Sequence, residues 1–146
     1  MKHFLTLLFS ASALLASFFM MNTSPESGEP ADGLNPDRVY EMRTYTTNEG
    51  KLDDLHRRFE DHTLELFERH GMTNVGYWIP NDPDLKENTL VFIISHESAE
   101  AAEANWDAFR ADPEWQRAYE LSHADGALVQ HAESVFMSAT PYSPMR

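Results

Sequence analysis

Between Val39 and Thr46 the chain reads Val-Tyr-Glu-Met-Arg-Thr-Tyr-Thr, alternating β-branched or aromatic with polar positions and free of Gly and Pro. A period of two predicts a strand. Glu41 and Arg43 fall on one of its faces together with Val39 and Tyr45. From Lys51 to His70 the period lengthens: Leu52, Leu55, Phe59, His62, Leu66 and His70, with Phe67 beside them, make the stripe of one long helix. Asn48 is placed to cap it, Asp53 and Asp54 suit its first turn and Arg69 its last, and Gly71 is the expected C′ residue. Met72–Ile79 predicts a second strand, with Val75, Tyr77 and Ile79 on one face, Asn74, Gly76 and Trp78 on the other, and Pro80 as its stop. Thr89–His96 is apolar on both faces, the pattern of a central strand. Ser98 caps a second helix striped by Ala99, Ala102, Trp106 and Phe109. Asp112-Pro113-Glu114-Trp115 restarts a helix over Pro113–Ser122, with Asp112 as cap and Pro113 at the first position. Glu133–Thr140 is the last predicted strand, ended by Pro141.

The order β-α-β-β-α-β defines an α+β fold, the ferredoxin-like arrangement with a four-stranded antiparallel sheet. It places the first and third strands centrally and both helices on one face. The other face then has no cover from this chain, although the third strand is apolar there. A second copy of the sheet is the simplest cover, so a homodimer is expected.

Composition adds the ends of the chain and several exclusions. Residues 1–23 hold Lys2 and an apolar run over positions 4–21, which reads as a signal peptide or an uncleaved N-terminal anchor. Export to a periplasmic or extracellular space is the corresponding expectation, with membrane attachment only through that segment. Positions 24–37 are rich in Pro, Gly, Ser and acids, and read as a disordered linker before a domain over 38–146. The net charge of −13 disfavours nucleic acid and anionic membranes as partners. Without Cys there is no disulfide, thiolate metal site or Cys nucleophile. No P-loop, G-x-G-x-x-G, G-x-S-x-G or H-E-x-x-H pattern occurs.

Tyr40-Glu41-Met42-Arg43-Thr44-Tyr45, Gly50-Lys51, His70-Gly71, Val75-Gly76-Tyr77-Trp78, Glu97-Ser98, Asp112-Pro113-Glu114-Trp115, Pro141 and Ser143-Pro144 follow one another in an order and spacing that resemble the NIPSNAP family. The resemblance spans nearly the whole domain. It implies a dimeric α+β barrel, in a superfamily that includes cofactorless monooxygenases, haem-dependent enzymes and isomerases.

Candidate chemistry centres on three charged or titratable residues. Arg43 is suited to a substrate carboxylate or enolate, with Glu41 as a general base. The same two residues equally make a structural ion pair, within the chain or across a dimer. His62, on the apolar stripe, is a candidate base or haem ligand, or a hydrogen-bonded core histidine. Tyr45, Tyr77, Trp78 and Trp106 offer aromatic walls to a flat ligand, or serve as ordinary core. Asp112-Pro113-Glu114-Trp115 has the mechanics of a helix cap. The expected function is binding of a small, partly apolar molecule between sheet and helices, with no cofactor, no metal, and oxygenase or isomerase chemistry. The alternative is a non-catalytic module whose polar residues stabilise a dimer.

Overall fold

The computed structural model describes residues 35–145. Strands β1 (Val39–Thr47), β2 (Thr73–Trp78), β3 (Thr89–His96) and β4 (Val129–Ser138) form one antiparallel sheet in the order β2-β3-β1-β4. Helices α1 (Leu52–Arg58), α2 (Leu64–Arg69), α3 (Ala99–Ala111) and α4 (Pro113–Ser122) complete the described elements. The ferredoxin-like order is the expected one, with β1 and β3 central. On β3, Leu90, Phe92, Ile94 and His96 are buried under the helices, while Val91 and Ile93 of the other face are half-buried. Phe92 is the centre of an aromatic core: its ring lies 5.1 Å from that of Tyr45, 5.2 Å from Phe59 and 5.5 Å from Tyr77. Ser98 and Asp112 cap α3 and α4 through bonds accepted from the backbone of Ala101 and Glu114, and Gly71 has a φ of 76°.

Four local features depart from the sequence reading. The helix expected over Lys51–His70 is interrupted by a π-helical turn at Phe59–Thr63. There the Leu64 amide donates to the Phe59 carbonyl, five residues back, and the Thr63 hydroxyl donates to the Arg58 carbonyl at 3.1 Å. One extra residue in the turn rotates everything after it, so Thr63 is buried where a regular helix would bury His62. Asn48 does not cap α1; its side chain donates to the Ala127 carbonyl at 2.7 Å, and no side chain caps that helix. A register shift between Asn74 and Gly76 leaves Val75 unpaired, which returns Asn74 and Tyr77 to one face. The Tyr77 hydroxyl accordingly donates to the Asn74 side chain, whose amide donates to the Leu64 carbonyl at 3.0 Å. Finally, β4 begins at Val129 rather than Glu133, because Val129, His131 and Ala132 find backbone partners on β1 despite weak alternation of their own.

The expected N-terminal segment, 1–23, and most of the linker lie outside the described residues. Within the stretch read as linker, Asn35 starts a turn and its side chain donates to the Glu97 carbonyl at 2.9 Å. Among the described residues no helix is long and apolar enough to cross a membrane.

Candidate functional site

Mid-strand on β1, Glu41 is buried to 1 % exposure on the helix face. Each of its oxygens accepts two hydrogen bonds. Oε1 receives Arg43 Nη1 and Ser134 Oγ, both at 2.6 Å; Oε2 receives Trp106 Nε1 at 2.7 Å and His96 Nε2 at 3.2 Å. Burial by itself would raise the Glu41 pKa. The bonds from His96, Ser134 and Trp106 and the charge of Arg43 outweigh it and hold the carboxyl at about 2. With Nε2 of His96 donating, its Nδ1 is left to accept from Asn105 Nδ2 at 3.4 Å, which fixes the tautomer. A carboxylate with four occupied lone-pair sites and so low a pKa is a poor general base. The role Glu41 fits is that of an anchor for Arg43 and Trp106.

The Arg43 guanidinium lies 4.5 Å above the Trp106 ring and 5.4 Å from that of Tyr45. All three line a cavity of about 600 Å³ between the sheet and the helices, within the range of small-molecule sites. Phe59 and Thr63 of the π-helical turn, Trp115 and Tyr119 of α4, and His123 beyond it complete the working walls. Arg110, Gln116, Glu120 and Ala132 are exposed and mark the mouth. The π-helical turn supplies Phe59 and Thr63, and the Asp112 cap with Pro113 starts α4, which supplies Trp115 and Tyr119.

Arg58 enters this cavity from the end of α1 and is 6 % exposed. Its guanidinium is 5.1 Å from the Trp115 ring and 5.7 Å from that of Tyr119. Nη1 donates to Ser122 Oγ at 3.4 Å, and Nε is buried with no hydrogen-bond partner. Burial pulls its pKa below the ordinary arginine value, opposed by Tyr45 and Tyr119. His123 is half-buried; its Nδ1 donates to the Tyr119 carbonyl at 2.7 Å, so in the neutral ring Nε2 is the accepting atom.

Of the residues singled out from sequence, Arg43, Tyr45 and Trp106 meet at the cavity, with Glu41 behind them. His62 does not. It is half-buried in an outer groove with Ala118 and Leu121, because the π turn moved it off the core stripe. A haem in the cavity would thus lack the ligand that the sequence offered. Tyr77 is core rather than wall: its ring stacks on Phe92 and burial pushes its pKa up. Trp78 pairs with Val91 on the face opposite the helices and is 50 % exposed. The Asp112 side chain receives the Glu114 amide and lies 2.8 Å from His70 Nε2, so this motif is structural, as read. Arg58, Thr63 and His123 were missed. Arg58 had left a signal, since it stands three residues after Leu55 and beside Phe59 on the apolar stripe. His123 left none, being placed by the chain after α4. Among the described residues no group of three or more His, Asp or Glu side chains is arranged to hold a metal.

The NIPSNAP family model matches residues 40–144. A NIPSNAP family protein of unknown function from Agrobacterium tumefaciens superposes with a TM-score of 0.66 at 25 % identity, covering 77 % of this chain and 97 % of its own. An uncharacterised NIPSNAP-like domain protein from Burkholderia xenovorans gives 0.65 at 18 % identity, over 75 % of this chain and 90 % of its own. A cofactor-independent oxygenase from Streptomyces nogalater gives 0.50 at 19 % identity, over 74 % and 98 %. No curated protein matches this sequence.

Proposed function

This chain belongs to the NIPSNAP family, and from that premise we propose that it binds a small, partly apolar molecule in the cavity between sheet and helices. The observation that carries the reading is the cavity's make-up: about 600 Å³ walled by Tyr45, Phe59, Trp106, Trp115 and Tyr119, with two guanidinium groups among them. By analogy of fold alone, which the chain shares with the Streptomyces oxygenase, the reaction class proposed for it is cofactorless oxygenation or isomerisation. Arg43 would stabilise an enolate, and His123 Nε2 would take the proton. Native mass spectrometry on protein purified from its source should show a retained small-molecule adduct. The adduct should disappear in Ala132→Trp, which blocks the cavity mouth. A clean apoprotein mass, with no compound captured from a metabolite extract, would sink the reading.

A second reading, a non-catalytic assembly module, is favoured by the saturated bonding of Glu41. It accounts for Glu41, Ser134 and His96 but leaves the cavity and Arg58 unexplained.

Pairing with a second copy through the sheet face opposite the helices is also proposed. Tyr40, Met42, Trp78, Val91, Ile93, Val135 and Met137 share that face by register. Val135 and Trp78 are each 50 % exposed there, apolar surface that a second copy would cover. Light scattering should give twice the monomer mass, and Ile93→Asp should halve it. A wild-type monomer at micromolar concentration would refute the pairing.

A further inference from the structure

Three arginines line the cavity, and two of them have carboxylate partners of their own. Arg43 is paired with Glu41 at 2.6 Å and Arg110 with Asp107 at 2.6 Å. Arg58 is the most deeply buried of the three, and among the described residues no carboxylate pairs with it. Its direct partners are two aromatic rings and one serine hydroxyl at the outer limit of hydrogen bonding, its Nε has none, and Asp54, Asp61 and Asp125 share an outer groove with it without forming an ion pair. In a chain of net charge −13, acids are plentiful, so this lack of a partner is a property of the site and not of the composition. A guanidinium cannot shed its charge to escape burial, and a buried charge needs a counter-charge. Ring faces compensate it only in part.

We infer that the counter-charge is supplied by the ligand: the cavity takes a planar, mostly apolar molecule bearing one carboxylate, which seats on Arg58 while its rings lie against Trp115 and Tyr119. This inference rests on the cavity being a ligand site. The planar guanidinium offers parallel donors that match a carboxylate edge. Arg43, already committed to Glu41 and to the Trp106 face, is left to contact a carbonyl or enol oxygen at the other end of the molecule. Phe59, Phe67, Phe109 and Trp115 supply apolar and aromatic contact inside, while Arg110, Gln116 and Glu120 stand at the exposed mouth.

The test compares naphthoate with its neutral isostere naphthamide by isothermal titration. Wild-type protein should bind naphthoate roughly 10- to 100-fold more tightly, the effect of a charge-assisted bond in a dry site. Arg58→Met should remove that preference and bring both affinities to the naphthamide level, while melting at the wild-type temperature or above, because an uncompensated buried charge is gone. Arg58→Lys should keep a reduced preference, since the charge remains without the fork, and it stands in should the methionine variant not fold. Equal binding of the two probes by wild-type protein would overturn the carboxylate inference and leave the cavity reading intact. Binding of neither probe would overturn both. A preference for naphthoate that persists in Arg58→Met would move the anion site elsewhere and refute the assignment to Arg58.

Discussion

Glu41→Ala is expected to destabilise the domain by about 3–5 kcal/mol, the usual consequence of removing one partner from a buried ion pair. The reason is the number of donors left behind. Arg43, Ser134, Trp106 and His96 all point at this one carboxylate, and the Glu41–Arg43 pair is 1 % and 19 % exposed on its two sides. Arg43→Met should cost less, because Glu41 keeps three donors. In the Arg43→Met background the loss from Glu41→Ala should shrink by about 1–2 kcal/mol, a coupling typical of contacting residues. Urea unfolding of the four proteins measures the cycle. Strictly additive losses would mean that the pair is not an energetic unit, and that Arg43 is held in place by Trp106 and Tyr45 alone.

The same carboxylate sets the acid limb of stability. Its folded pKa is depressed, from the ordinary 4.5 to about 2. A group depressed in this way stabilises the fold fully above its unfolded pKa and loses that contribution as pH falls toward its folded pKa. The Glu41 contribution, on the order of 3 kcal/mol, should therefore be present at neutral pH and decline between about pH 4.5 and pH 2. Glu41→Ala should flatten the stability profile in that window. An acid limb unchanged by the substitution would place the controlling carboxylates elsewhere.

Phe92→Ala should cost about 3–5 kcal/mol by a different route, the loss of a large buried ring and the cavity it leaves. Phe92 is 0 % exposed, and Tyr45, Phe59, Tyr77 and Phe67 have ring centres between 5.1 and 6.1 Å from its own. Aromatic pairs of this kind, edge-to-face with Tyr45 and Phe59 and stacked with Tyr77 and Phe67, add about 0.5–1.5 kcal/mol each beyond burial. Tyr45 and Phe59 are also walls of the ligand cavity, so the void would form directly behind them. Probe binding should weaken in Phe92→Ala even where the protein remains folded. Phe92→Leu, which keeps most of the volume, should lose less than about half as much. A denaturation midpoint that barely moves in Phe92→Ala would contradict the position of this ring at the centre of the core.

The alternation of Val39–Thr46, the doubly apolar Thr89–His96 run and the three-and-four spacing of the first helix determined the fold class and the central place of β1 and β3. These are local, periodic signals, and periodicity is what binary patterning carries. The caps at Ser98 and Asp112 were legible for the same reason, since each is written within four residues. Tertiary structure decided what periodicity cannot. One extra residue at Phe59–Thr63 exchanged Thr63 for His62 at the core, and one unpaired residue at Val75 brought Tyr77 round to Asn74. A π turn and a bulge each shift phase by a single residue, and neither needs a distinctive residue type to do so. The pairing of Glu41 with Arg43 could be suspected from their i and i+2 places on one strand. The convergence on it of Ser134, 93 positions away, and Trp106, 65 away, could not. Whether a buried arginine is matched or waits for a ligand depends on which acids the fold brings near it, and only the assembled sheet and helices show that, among the described residues, none pairs with Arg58.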